Sequence, residues 1–361
     1  MRLVAAIYAG IDLGGTKVAC ALGNIEDGIA AEKTIPTQSQ QGHEAVLSRI
    51  AEVVEELAAE AGAQPAALGM GVPGLADLEN GVTRFLPNLP GKWRDVNVRG
   101  ILSPKLGCPV YLINDVRCAT LAELTFGHGR TARTMAFFAI GTGIGGGIVI
   151  DGQLRLGPLG AAGELGHHTI VPDGPLCGCG NRGCLEALAS GSAITAEGVR
   201  LLSSGQCPKL HEIVDGDASR VTPRELAQAA EAGDEAAAVA IRRAAEYIGI
   251  AVSNVIVTIH PDLIVIGGGV AEMGSMLLEP IRETVRERVR MLPVDDIRIE
   301  PSQLGEEAGV LGAIALAAQK LGTVTDFSSE SVPSDGPCLD DTTASAARST
   351  QPRGREIGNC P

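Results

Sequence analysis

Apolar residues along this chain repeat at two spacings, and the change from one to the other divides it into elements. Ala5 to Ile11, Lys17 to Leu22 and Ile29 to Thr34 are apolar or alternating runs, separated by Gly14-Gly15 and by Asn24-Ile25-Glu26-Asp27-Gly28. Period-two runs joined by turn formers predict an antiparallel meander of three strands. From His43 to Ala61 the spacing becomes helical: Val46, Ile50, Val53, Val54 and Leu57 form one stripe, with Gly62 just past its end. Leu68 to Val72 and Val110 to Ile113 read as short strands ending at Pro73-Gly74 and Asn114-Asp115. In α/β sheets such strand ends carry ligand-facing groups.

The opening pattern starts again at Met135. Gly10 to Gly15 (GIDLGG) lines up with Gly141 to Gly146 (GTGIGG), with glycine in the first, fifth and sixth places and an apolar strand on either side. A repeat offset by 131 residues (141 minus 10) implies two similar halves facing each other across a cleft. The second half continues with a Cys-rich insertion, helices around Pro223 to Ala232 and Asp234 to Ser253, a strand Leu263 to Ile266 running into Gly267-Gly268-Gly269, and a helix near Glu306 to Lys320. Alternating strands and helices define an α/β protein. Thr323 to Pro361 is rich in Ser, Thr, Asp, Pro and Gly, carries no period, and reads as a disordered tail.

Composition narrows the partners. The 361 residues, 45% hydrophobic, suffice for about two domains. With 29 basic and 43 acidic residues the net charge is -14, which argues against nucleic acid or an anionic membrane as partner. No apolar run approaches the roughly 18 residues of a spanning helix, and the start lacks the cleavage region of a signal peptide, so a cytoplasmic protein is expected. Nine cysteines, three of them within Cys177 to Cys184, fit reduced thiols and one local site better than a disulfide framework.

Candidate chemistry falls at five places. Asp12-Leu13-Gly14-Gly15-Thr16-Lys17 forms a hairpin turn whose glycines let backbone amides approach an anion, while Asp12 can hold a hydrated cation. Gly141 to Gly147 holds five glycines in seven residues, costly in chain entropy unless something must approach the backbone. Gly267-Gly268-Gly269 can admit the flat face of an adenosine or simply make a tight turn. Neither of the first two loops is a P-loop or a dinucleotide fingerprint, because strands follow both. Asn114-Asp115 can hold sugar hydroxyls and accept a proton, or Asp115 can cap the following helix, Val116 to Phe126. Finally Glu164-Leu165-Gly166-His167 is followed by Cys177-Gly178-Cys179, Cys184 and Glu186. One His and three Cys make a tetrahedral structural zinc set, against a local disulfide or free thiols. His168 competes with His167 as the imidazole ligand, and spacing does not choose between them.

DLGGTK, the Asn-Asp after a strand, GTGIGGG, ELGH, CGCGNRGCLE and IVIGGG, in this order across residues 5 to 321, resemble the ROK family of sugar kinases and repressors, particularly its bacterial glucokinase branch. The resemblance implies a duplicated actin-like (ribonuclease-H-like) ATPase/sugar kinase fold, two lobes around a cleft: an N-terminal lobe over 1–115 and a C-terminal lobe over 116–322 with a zinc loop at 164–186. The terminal helix is free to return to the first lobe. It further implies ATP-dependent phosphorylation of a hexose 6-hydroxyl, glucose first, with N-acetylmannosamine or fructose as alternatives, entry of the sugar into glycolysis, and a homodimer or homotetramer. Position by position, Asp115 matches the catalytic base, and Asn114, Glu164, His167 and Glu186 match sugar ligands, with Gly74 and Asn88 beside them. His167, Cys177, Cys179 and Cys184 match the zinc ligands, which favours His167 over His168. Asp12, Gly14, Gly15, Thr16, Lys17, Thr142 and Gly143 match phosphate and Mg²⁺ sites, with Gly267 and Gly268 near the adenosine. A sugar-sensing ROK repressor needs a DNA-binding domain before Asp12, for which no room is expected. An actin-like or chaperone ATPase has no use for Glu164, His167 and a zinc loop.

Overall fold

A computed structural model describes residues 6–157 and 160–322. The segment 323–361, read above as a disordered tail, lies outside the described residues. The meander forms as expected from Tyr8–Leu13 (β1), Lys17–Asn24 (β2) and Gly28–Pro36 (β3). Leu68–Val72 (β4) follows, then a small antiparallel sheet of Leu75–Asp77 (β5), Val82–Phe85 (β6) and Val96–Asn97 (β7), and then Val110–Asn114 (β8). The second half contributes Met135–Ile140 (β9), Ile144–Ile150 (β10), Gln153–Leu154 (β11), Leu263–Gly267 (β12) and Arg298–Pro301 (β13). The helices are His43–Ala61 (α1), Val98–Leu106 (α2), Asp115–Thr125 (α3), Leu185–Ala189 (α4), Gly191–Ser203 (α5), Pro208–Val214 (α6), Pro223–Glu231 (α7), Glu235–Ile259 (α8), Ser275–Arg288 (α9) and Ala308–Lys320 (α10).

Two five-stranded sheets carry the fold, ordered β3-β2-β1-β4-β8 and β11-β10-β9-β12-β13. In each, the three strands of a meander are antiparallel and the two that follow are parallel to the meander's first strand. The repeat of glycine motifs is thus a repeat of whole sheets. Between the sheets lie α3 and α10: Cys118 and Leu121 of α3 share a core with Phe137, Val149 and Val265 of the second sheet and Leu316 of α10. Val310 and Ile314 of α10 pack with Tyr8 and Ala21 of the first sheet. These approaches are backbone to backbone. A Cβ on Gly69 of β4 would sit 1.9 Å from the Ala313 carbonyl oxygen, and one on Gly312 would sit 1.8 Å from that of Cys118. Only glycine permits contact that close.

Where observed and expected elements differ, the cause is local. The first strand runs on to Leu13 because Asp12 and Leu13 pair with Ala19 and Val18 across the hairpin, so Asp12 sits on a strand and not in the turn. Helix α8 passes the expected end at Ser253 to reach Ile259, since Val255 and Ile256 extend its buried stripe. Helix α10 begins at Ala308, two residues late, because Gly305–Glu307 forms a 3-10 turn. No helix among the described residues is long and apolar enough to cross a membrane.

Candidate active site

Helix α3 begins where β8 ends, and that junction places the first two candidates. Asn114 is the helix cap: its Oδ1 accepts hydrogen bonds from the backbone amides of Val116 (3.1 Å) and Arg117 (3.3 Å). Its Nδ2 donates to the Gly74 carbonyl (3.2 Å), which ties it to the turn after β4. Asp115, for which capping was the bland alternative, is the first residue of the helix, and its Oδ1 accepts from the adjacent Val116 amide at 2.8 Å. Burial pushes its carboxyl up to about 6; the negative charge of Asp12 adds to the rise, while the Val116 amide and the Arg117 guanidinium hold it down. Asp12 is raised as well, chiefly by burial, with Lys17 opposing. Two carboxyl groups sensing each other in a partly buried place form a natural seat for a hard cation. Gly309 at the start of α10 makes room for Asp12, since a Cβ there would lie 2.4 Å from its Oδ2.

The sugar candidates of the second half converge on the same place. Arg117 is 2% exposed and donates from Nη2 to Glu164 Oε1 (2.7 Å) and from Nη1 to Asn114 Oδ1 (3.1 Å). Glu164 itself is exposed on its far side. Glu186, on the short helix α4, accepts from the Ile144 amide at 3.0 Å, and its other oxygen lies 3.6 Å from Cys177 Sγ. A Cβ on Gly143 would fall 2.5 Å from Glu186 Oε2. The second glycine loop and the Cys-rich loop are therefore in direct contact.

Most of that glycine run serves the protein's own packing. Cβ atoms on Gly145, Gly146 and Gly147 would collide with Val116, Leu165 and Thr120 at 2.1 to 2.7 Å. The sequence reading, that a ligand approaches this backbone, thus holds space only for the tip: Gly141 has nothing within 4 Å of its Cβ position, and Thr142 is exposed. In the first loop, Gly14 donates to the Lys17 carbonyl, a Cβ on Gly15 would lie 3.2 Å from the Asn88 carbonyl oxygen, and Thr16 is exposed. Asn88 is thereby brought beside the phosphate-loop candidate. The Lys17 ammonium pairs with Glu306 at 2.7 Å in an exposed position. Gly267 and Gly268 close off β12 against Phe137 and the Ile140 carbonyl.

His167, Cys177, Cys179 and Cys184 come together with their ligand atoms within 4.8 Å of one another. Cys177 Sγ lies 3.7 Å from His167 Nδ1, and Cys179 Sγ lies 3.7 Å from Cys184 Sγ. A tetrahedron of bonds of about 2.3 Å has edges of about 3.8 Å, so the donor set fits zinc in both chemistry and spacing. Without a cation, burial pushes the Cys177 thiol up to about 12. His168 is not in the set; its Nδ1 is buried without a hydrogen-bond partner. Gly183 lets the loop close, for a Cβ there would lie 1.5 Å from the Val171 carbonyl oxygen.

Residues 8–320 match the profile of the ROK family. The chain belongs to the ROK family. It is similar to the glucokinase of Thermotoga maritima, 36% identical over 316 residues that span 87% of this chain and 98% of that protein. It is similar, too, to the xylose repressor of Caldicellulosiruptor bescii, 33% identical over 310 residues, 85% of this chain and 77% of the repressor. Among solved structures, a ROK family glucokinase from Streptomyces griseus in complex with glucose and AMPPNP matches with a TM-score of 0.73 at 31% identity, covering 87% of this chain and all of that one. The duplicated sheets are accordingly the actin-like sugar kinase fold of this family. Arg117 of this ROK chain escaped the sequence reading, although a basic residue two positions after a candidate base, on a helix whose other charges are the acidic Asp115 and Glu123, was a usable signal. The Ile144 amide escaped it because a backbone donor leaves no trace in side-chain patterns.

Proposed function

We propose that this ROK protein is a hexokinase-type phosphotransferase that moves the γ-phosphoryl group of ATP to the 6-hydroxyl of glucose, giving glucose 6-phosphate. The observation that carries the reading is Asp115: a partly buried carboxyl raised to about 6, relieved of capping by Asn114 and close enough to Asp12 and Arg117 to feel their charges. A general base works best with a pKa near the working pH. Asp115 orients the primary hydroxyl and takes its proton as the phosphoryl group arrives in line, and the remaining work is positioning and charge compensation. Asn114, Glu164, His167 and Glu186 hold the ring hydroxyls, with Gly74 and Asn88 at the edge. Gly14 and Gly141 shape the two turns, their own amides donating to the Lys17 and Gly143 carbonyls; the backbone amides of Gly15, Thr16, Thr142 and Gly143 face the phosphates, and Gly267 and Gly268 border the adenosine. Asp12 would hold Mg²⁺, which offsets phosphate charge. His167, Cys177, Cys179 and Cys184 would hold zinc as a structural ion with no open position, fixing the loop that carries Glu186. With Nδ1 turned to the thiols, His167 keeps Nε2 for a sugar hydroxyl.

The setting we assign is cytoplasmic, where ATP is abundant and thiols stay reduced, and the assembly is a homodimer or homotetramer. The test is ADP release by the purified chain with ATP and, in turn, glucose, mannose, fructose, N-acetylglucosamine and N-acetylmannosamine. Glucose is expected to give the highest kcat/KM. Glucose binding without ADP release would instead make this chain a sugar sensor like the repressors in its family.

A further inference from the structure

We propose that Arg117 is a positioning residue for sugar binding, a buried fork that fixes the two sugar-facing side chains Asn114 and Glu164 in one register with the base. This inference rests on the kinase reading above and adds to it a residue that does not itself meet the substrate. Arg117 is the largest fully buried side chain among the described residues, whereas Arg84, Arg133, Arg220 and Arg242 form their ion pairs in exposed positions. Its guanidinium makes four hydrogen bonds in three directions. Nε and Nη2 donate to the Ala162 carbonyl (3.1 and 3.0 Å), Nη2 also to Glu164 Oε1 (2.7 Å), and Nη1 to Asn114 Oδ1 (3.1 Å).

Each contact places something. The pair on Ala162 pins the turn 162–164, whose Gly163 adopts φ +88° and lies against the backbone of Gly146 and Gly147. That turn leads directly into the 3-10 helix Leu165–His167, so its position sets that of the metal-side imidazole. The bond to Glu164 holds one carboxylate oxygen and leaves the other side open, with the residue 44% exposed. The bond to Asn114 reinforces the cap of α3, the helix that begins with Asp115. One planar cation therefore ties the start of the base-bearing helix to the loop that presents Glu164 and His167.

Fold stability is a poor reason for such a group. Burying an ion pair costs about as much in desolvation as it returns, and an apolar side chain of the same volume commonly serves the fold equally well. Geometry is the better reason, because a guanidinium offers several donors in one rigid plane whereas a lysine ammonium is a single point of charge. The consequence is specific: replacing the fork should weaken sugar binding while the phosphoryl donor and the chemical step are little affected.

The experiment is steady-state kinetics on the full chain, with zinc content and melting temperature measured alongside, for Arg117→Lys, Glu164→Gln and the double variant. Arg117→Lys keeps the charge and the fold but loses the fork. We expect its glucose KM to rise at least about tenfold, with kcat and the ATP KM within about threefold of the parent. Because Arg117 acts partly through Glu164, the double variant should raise glucose KM by clearly less than the product of the two single effects. Arg117→Met, of similar length and uncharged, is the second probe and should show the same KM-against-kcat split. A purely structural Arg117 would lower the melting temperature or the active fraction while leaving glucose KM at the parent value, and that result overturns the inference. A raised glucose KM in Glu164→Gln beside an unchanged one in both Arg117 variants overturns it alone. An unchanged KM in Glu164→Gln removes Glu164 from the sugar site and overturns the site reading together with this inference.

Discussion

At the scale of residues, the junction between β8 and α3 divides two tasks that one carboxyl could not perform together. A capping carboxylate is hydrogen-bonded to amides and held low in pKa; a base near neutrality needs to be desolvated and only lightly bonded. Asn114 takes the cap, and Asp115 is left with one amide contact and a pKa raised to about 6. The sign of the pH dependence follows. In the proposed reaction Asp115 acts as base only when ionised, so kcat/KM for glucose should be flat above pH 7 and fall about tenfold per unit below about 6. A pH–rate profile with its acid limb near 4, the ordinary carboxylate range, would remove the raised carboxyl from the rate law.

At the scale of elements, two loops and one helix hold the site. In the Cys-rich loop Cys177 and Cys184 are buried, while Leu176, Cys179 and Asn181 face solvent, so in the proposed reading it is the metal that supplies the loop's order. Cys179→Ser should lose zinc and raise glucose KM, because Glu186 follows on α4 and is anchored to the Ile144 amide. Elemental analysis together with kinetics checks this, and zinc-free protein with full activity would refute it. Helix α10 makes a second kind of demand. Gly312→Ala should lower stability to chemical denaturation by at least about 1 to 3 kcal/mol, since the new methyl group meets the Cys118 carbonyl and α10 must move off both α3 and β4.

These same elements mark how far the sequence could be read. The meander and the strands before Gly74 and Asn114 were legible as short apolar or alternating runs bounded by turn formers, and α1 by its helical stripe of buried residues. The small sheet β5 to β7 was not, being two to four residues per strand with no period to detect. The Cys/His cluster was legible from residue type and spacing, and the resemblance preferred His167; geometry then brings His167 to the thiols and leaves His168 aside. The glycine run was misjudged in part, because a sequence does not distinguish a backbone approached by ligand from one approached by Val116, Leu165 and Thr120. Arg117 was passed over because a single basic residue is a weak signal and its partners at 162 and 164 are distant in sequence.

At the scale of the whole molecule, duplication gives two sheets of one design with α3 and α10 packed between them. The first half supplies Asp12, Asn114 and Asp115; the second supplies Glu164, Glu186 and the Cys-rich loop. Everything in the proposed chemistry meets at Asp115, and its ionised form is held at a cost to the fold. Because its folded pKa is raised above the ordinary carboxylate value, the unfolded chain releases this proton first as pH rises, and the folded state loses stability between about 4 and 6. Asparagine removes that cost, so Asp115→Asn should melt no lower than the parent at pH 7. The decisive measurement is therefore kcat for glucose phosphorylation in folded, zinc-loaded Asp115→Asn. A fall of at least about a hundredfold, with glucose KM changed far less and the melting temperature kept, is the expected result; a kcat within a few-fold of the parent would show that Asp115 takes no proton in this reaction.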